Sequence, residues 1–366
     1  LFGIRVSKNR YMGGAMSELT TACTRTFLFR WHLLATASIA ALTALVASEG
    51  AAQATDTFLS ESDHSQIWIE LGGDFEHIDG QTHKWAPPPR VSFAGSGVDI
   101  RRDAVGSFGI EGKVSYQPKD SAWIVIAGAR YGRAQRQGNF HTQQSTVDPY
   151  HSNYVSNYNA TTRHTENHMI VDFQIGRDFG LGLQGKYGHA VIGAGMRIAQ
   201  FSLDSTDFAS SHPNSGGFER KIYGEAMKFE RRTSAIGPAI SLSASTPLIS
   251  NGDGGLMFDW GANGAILFGR QKVMINDMTH YQHHYGQGVP DVDTANSSSG
   301  FRAKSVVIPN VGAFAGVSYY LPAAKLAVGY RADLYFDGID GGVNAANRIN
   351  RSFYGPFATI SFGLGG

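Results

Sequence analysis

The sequence predicts an all-β fold, a transmembrane antiparallel up-and-down β-barrel of about ten strands. Three observations lead there. Segments with a period of two recur along the chain, apolar on one face and charged or small on the other, which is strand alternation. The connections between them alternate strictly between tight and long. Gly (45), Phe (22) and Tyr (15) are abundant while charged residues are only 17%, a mix suited to strands and turns and poor for helices.

The elements follow in order. Ile67, Ile69, Leu71 and Phe75 alternate with Glu70, Asp74 and Glu76. Phe108, Ile110, Val114 and Tyr116 alternate with Glu111, Lys113 and Ser115. Trp123, Val125, Ala127, Ala129 and Tyr131 alternate with Gly128 and Arg130. Met169, Val171, Phe173 and Ile175 alternate with Asp172 and Gln174. Ile192, Ala194, Met196 and Ile198 alternate with Gly193, Gly195 and Arg197. Ile236, Ile240 and Leu242 alternate with Gly237, Ser241 and Ser243. Leu256, Phe258, Trp260 and Ile266 alternate with Asp259, Gly261 and Asn263. Val307, Val311, Val317 and Tyr319 alternate with Asn310, Gly312 and Ser318. Leu326, Val328, Tyr330, Ala332, Leu334 and Phe336 alternate with Arg331, Asp333 and Tyr335. Tyr354, Ile360, Phe362 and Leu364 alternate with Gly355, Thr359 and Ser361.

Turn formers mark four tight connections: Gln117-Pro118-Lys119-Asp120, the stretch near Gly180-Leu181-Gly182, Asn251-Gly252-Asp253-Gly254, and Leu321-Pro322-Ala323. Longer polar loops are expected near residues 79–103, 135–165, 204–225, 276–300 and 338–350. Short turns at one end and long connections at the other, with an even strand number, are the plan of an outer-membrane barrel.

The first 54 residues read as a signal peptide. Met12 or Met16 serves as a start, and Arg25 and Arg30 precede the uncharged Leu33–Val46 core. Ala52-Gln53-Ala54 then supplies a cleavage site. The barrel is expected over residues 55–366. The single cysteine, Cys23, falls in the leader, so no disulfide staples the mature chain. Cleavage after Ala54 leaves 26 Lys and Arg against 28 Asp and Glu, a net −2 that argues against a nucleic-acid partner.

If the apolar faces meet lipid, the charged faces enclose a lumen, because a charge on the lipid face at mid-membrane costs roughly 2–4 kcal/mol. The expected lumen-lining residues are Glu70, Asp74, Glu111, Lys113, Arg130, Asp172, Arg197, Asp259, Arg302, Lys304, Arg331 and Asp333. Charges of both signs there imply either a polar conduit or a salt-bridged plug. About eight strands give an interior that side chains fill, and ten lies near that end, so a narrow or occluded lumen is expected.

Two C-terminal stretches carry a resemblance. GYRADLYFDGIDGG (Gly329 to Gly342), followed by RSFYGPFATISFGLGG (Arg351 to Gly366), looks like the closing strands of the Legionella-type major outer membrane protein family. AIGPAISLSA (Ala235 to Ala244) and LMFDWGANGAILFG (Leu256 to Gly269) are similar to its middle strands. The likeness is clearest over residues 230–366. It implies a pore-forming barrel of the cell outer membrane and supplies no catalytic residue. The expected function is then porin-like passage of small solutes or ions. The implied partners are outer-membrane lipid and lipopolysaccharide, periplasmic chaperones and the barrel-assembly machinery. No cofactor and no metal are expected.

Other signals point elsewhere. Gly193-Ala194-Gly195 opens like a dinucleotide fingerprint, but Ile198 stands where the third glycine belongs. His280, His283 and His284, with His164 and His168, could be gathered by folding around a metal. An omptin-like protease at the outer rim would draw on Asp74, Glu76, His77, Asp79, Asp204, Asp207, Asp277 and His280, since carboxylates beside a histidine can activate water. The main non-enzymatic rival to a porin is a non-conducting structural or adhesive barrel.

Overall fold

The computed structural model describes residues 66–79, 106–148, 151–179, 189–213, 220–251, 254–284, 292–321, 324–342 and 347–364. The expected signal peptide lies outside them. Ten strands form: β1 (Gln66–Asp79), β2 (Gly106–Gln117), β3 (Trp123–Asp148), β4 (His151–Asp178), β5 (His189–Pro213), β6 (Arg220–Asn251), β7 (Gly254–His284), β8 (Val292–Leu321), β9 (Ala324–Asp340) and β10 (Arg348–Leu364). Each pairs antiparallel with its sequence neighbours, and β1 pairs with β10 from Ile67↔Leu364 onward, so the sheet is a closed up-and-down barrel without edges.

The alternation decides which face goes where. On β9, Leu326, Val328 and Tyr330 are half exposed, while Asp333 and Tyr335 between their outward neighbours are buried. The same parity puts Ile192 and Met196 of β5, Ile236 and Ile240 of β6, Ile266 and Phe268 of β7, and Val307, Val311 and Val317 of β8 on the outside. Every backbone donor in such a closed ladder is paired, so an apolar exterior can face hydrocarbon. Each outward row turns polar at a definite place: Arg133 on β3, Asn167 on β4, Gln200 on β5, Ser234 on β6, Arg270 on β7, Ser305 on β8 and Ser352 on β10. Aromatics stand at that edge, including Phe108, Tyr131, Phe268, Phe336 and Tyr354. The exterior is that of a membrane-spanning barrel, and this apolar belt is the height of its span.

Strand lengths make the wall uneven. β1, β2, β9 and β10 have 14, 12, 17 and 17 residues, whereas β3 to β8 have 25 to 32. A membrane crossing takes about 9–11 residues of strand. The surplus of β3–β8 rises beyond the belt at the end opposite the tight turns.

Here the structure revises the expected loops. The polar stretches 135–165, 204–225 and 276–300 are mostly hairpin: β3 and β4 stay in register from Trp123↔Arg177 to Thr146↔Tyr154, and β7 pairs with β8 as far as His283↔Val292. Above the belt no lipid imposes an apolar face, so the alternation fades while the backbone ladder continues. The connection at 338–350 shrinks to the residues between Asp340 and Arg348. The stretch expected at 79–103 falls almost wholly outside the described residues. Among the tight turns, the predicted Gln117–Asp120 turn is present, with Asp120 in the left-handed region at φ 56°.

Candidate functional site

The inward side chains lie in layers. Nearest the tight turns, Lys113 Nζ is 2.9 Å from Glu70, which also accepts from Ser361 Oγ at 3.2 Å. Across from them Lys325 Nζ lies 2.7 Å from Asp259, whose other oxygen accepts from Ser245. A cavity of about 740 Å³ opens above, with Trp68 and Tyr320 among its lower lining and Arg130, Asp172, Arg197 and Asp333 at its roof.

The roof is a network that crosses the barrel. Arg130 of β3 donates to Asp333 of β9 at 2.5 Å, and its Nε is 3.8 Å from Glu76 of β1. His168 of β4 brings Nε2 to 2.9 Å from the same Glu76. Arg197 forks onto Asp172 through Nε at 2.7 Å and a terminal nitrogen at 2.9 Å, and its other terminal nitrogen donates to Asn263 and Asn310. Arg331 reaches Glu111 at 2.7 Å and Asp74 at 3.8 Å, with its guanidinium 4.8 Å above the Phe357 ring. Charges at this depth sit on the inside because the outside is hydrocarbon, and they sit in pairs because a lone buried charge is costly.

Directly above the roof is an apolar layer. Phe201 of β5 packs on Tyr335 of β9 at 4.9 Å and stacks on Phe353 of β10 at 5.7 Å, and His168 lies 4.2 Å from the Phe353 ring. Leu267 of β7, Ile308 of β8 and Ala199 join them in one buried cluster. Phe201, Tyr335, Phe353, Leu267 and Ile308 are each 0–2% exposed. Strands from every side of the barrel contribute, so the layer crosses the lumen at the outer edge of the belt.

Charge returns above it. Arg351 of β10 grips Glu166 of β4 through two nitrogens, one at 2.9 Å, and both residues are 1% exposed. Arg302 is 3.0 Å and Lys304 3.5 Å from Asp340. Burial alone would push the Asp340 carboxyl up, but the backbone N–H groups of Asn347 and Gly342 and the Arg302 guanidinium hold it below its ordinary value. Asp207 is buried on the inner face of β5, and neither of its oxygens meets a hydrogen-bond donor among the described residues. Burial pushes its carboxyl up to about 6, with the Arg231 charge pulling the other way. Burial likewise lowers Arg231 to about 10, against the attraction of Asp340 and Asp207.

Of the twelve residues expected to line the lumen, ten face it at membrane height: Glu70, Asp74, Glu111, Lys113, Arg130, Asp172, Arg197, Asp259, Arg331 and Asp333. Arg302 and Lys304 keep the inward parity but lie beyond the belt, in the outer layer with Asp340. Sequence reasoning placed Asn263 and Asn310 on the polar faces but left them out of the lumen set, considered His168 only as a metal ligand, and missed Lys325 in the polar network and Phe201, Phe353, Leu267 and Ile308 in the layer above it. The signal was parity. Phe353 is even-spaced from Thr359, and Leu267 from Asp259, so both point inward with the polar residues.

The histidines do not gather. His168 is inside the barrel, His280 is exposed and 2.7 Å from Asp293, and the His283 ring lies 5.9 Å from Tyr281. Among the described residues no group of three or more His, Cys, Asp or Glu is placed to hold a metal. The rim set is dispersed as well. Asp74 and Glu76 are in the membrane-level lumen, and His77 packs at a tilt against Tyr354 on the outside, ring centroids 5.0 Å apart. Asp204 and His280 face outward, and Asp207 and Asp277 face inward. Gly193 and Gly195 belong to mid-β5; a side chain at Gly195 would strike the Phe173 carbonyl of the adjoining strand, which accounts for the glycine without a nucleotide.

No protein-family model matches the sequence, and no curated protein does. Solved structures with a similar course include the outer membrane protease OmpT from Escherichia coli, at 13% identity and a TM-score of 0.37, covering 84% of this chain and 99% of that one. The attachment invasion locus protein Ail of Yersinia pestis follows at 10% identity and a TM-score of 0.22, covering 82% and 99%. The beta domain of the Bordetella autotransporter BrkA gives 12% identity and a TM-score of 0.21, again covering 82% and 99%. At these values no residue role is carried over from any of them.

Proposed function

We propose that this chain works as a plugged barrel of the cell outer membrane, a structural or adhesive surface protein whose working part is the extension of β3–β8. The single observation that carries this reading is the Phe201–Tyr335–Phe353 layer, backed by Leu267 and Ile308 and seated on the Arg130–Asp333 and Arg197–Asp172 pairs. A hydrated ion crossing that layer would shed water against rings and aliphatic carbons, which offer it no replacement ligands. Porin-like passage keeps one point in its favour, the charged cavity of about 740 Å³ below the layer. In this reading that cavity is a blind vestibule. A rim protease gains nothing from the geometry, since its candidate residues stand on both faces of the wall.

Planar-bilayer recording of the purified chain tests this. The wild type should give no current steps, and the Phe201→Ala/Phe353→Ala double variant should conduct or leak. Stepwise wild-type currents whose ion selectivity shifts on Arg331→Glu would replace the plugged barrel with the porin.

A further inference from the structure

The outer surface just beyond the belt is not uniform. On β6 and β7 the last outward apolar pair is Ile236↔Phe268, both exposed, and Val307 of β8 continues the row. The next outward pair is Ser234↔Arg270, and the one after it is Arg232↔Lys272. Ser305 of β8 stands opposite Arg270. Two cations directly across a ladder repel each other, so this arrangement is unfavourable alone. Two acids lie on the β5 side of the cluster: Glu230, between Lys228 at 2.8 Å and Arg232 at 3.3 Å, and Asp204, which faces Glu230 across the ladder and feels the charges of Arg232 and Lys228, so four cations face two carboxylates. Among the described residues neither Arg270 nor Lys272 has an acidic partner. Among the described residues the corresponding edge of the low wall has no such cluster: β1 ends in His77 and Asp79, and β10 presents Ser352 and Asn350.

We propose that Arg232, Arg270 and Lys272, with the hydroxyls of Ser234 and Ser305, bind the phosphorylated headgroup of a lipid in the outer leaflet. Two features together select that occupant. The cations call for an anion, and arginine suits phosphate oxygens through paired N–H donors. The exposed Ile236, Phe268 and Val307 immediately on the membrane side call for hydrocarbon attached to that anion. An acidic protein would satisfy the first and not the second. The inference rests on the membrane placement of the belt and is independent of whether the lumen is closed.

The test is native mass spectrometry of the folded barrel released from detergent, with bisphosphorylated lipid A and the same acylated sugar lacking phosphates as probes. The wild type should retain the phosphorylated lipid at least tenfold better than the phosphate-free one. Arg232→Gln/Arg270→Gln/Lys272→Gln should lose that preference, while Arg348→Gln on the opposite wall should keep it. A tenfold excess of inorganic phosphate should leave the complex in place. Equal retention of the two lipids by wild type, undiminished binding by the triple variant, or displacement by inorganic phosphate would each overturn the site. The wild-type comparison holds even if the triple variant fails to fold, and current steps in a bilayer would not bear on it.

Discussion

Arg130 and Arg351 are both buried arginines that reach across the barrel, yet they keep different company. Arg130 sits at membrane height among Asp333, Glu76 and, through Glu76, His168, so its charge is shared. Arg351, on the far side of the aromatic layer, commits two nitrogens to the one carboxylate of Glu166. The first arrangement lets a lost partner be replaced by a neighbour. The second concentrates two hydrogen bonds on one carboxylate between residues that are each 1% exposed, so removing that carboxylate takes a buried counter-charge from the arginine at a single stroke.

The largest expected effect tests that difference. Glu166→Gln should lower the free energy of unfolding by about 3–5 kcal/mol, measured by guanidinium titration of barrels folded into lipid vesicles. Asp333→Asn should cost clearly less, since Glu76 remains beside Arg130. Equal losses would erase the distinction between a charge shared among several acids and one forked onto a single carboxylate.

A second change acts in the opposite direction. Asp207 ionises near pH 6 when folded but near 3.8 when unfolded. Between those values the unfolded chain gives up its proton first. Stability therefore falls as pH rises from about 4 to 6, and the penalty is complete above that. Asp207→Asn should raise stability by about 2–3 kcal/mol at pH 8 and leave it unchanged below pH 4. A gain independent of pH would mean that burial of this carboxylate is not the cause.

The smallest effect concerns how the outer layer is aimed. Asp337 sits in the left-handed region at φ 56°, next to the register shift between Ile349 and Arg351, and its carbonyl accepts from Gln271 Nε2 at 2.7 Å. This irregularity breaks the parity of β9 and brings Asp340 round to Arg302 and Lys304. Asp337→Val should cost about 1–2 kcal/mol, and Asp337→Gly close to nothing, in the same titration. Equal behaviour would show that the turn of the backbone is held by its neighbours alone.

Much of this architecture was readable from residue order. Ten strands, their faces and the membrane-level lumen follow from a period of two, because lipid on one side and charge on the other enforce it at every step. Legibility stops where the lipid does. Thr161, Thr162, Arg163 and His164 on β4 show no alternation, so a continuous strand looks like a loop. The plug was hidden for another reason. An inward Phe201 or Leu267 is as apolar as an outward Ile198 or Phe268, and only parity counted from a distant charge separates them. Which pairs meet across the barrel, such as Glu166 with Arg351, depends on stagger and strand tilt, which no single strand records.

The pairing of β1 with β10 also bears on how the molecule comes into being. Every other ladder joins strands adjacent in sequence and can zip locally, whereas Ile67 must find Leu364. Arg130–Asp333 and Glu166–Arg351 link the first half of the chain to the last two strands. The interior ionic clasps thus cannot lock until that seam has sealed, which makes them reporters of the final step of assembly.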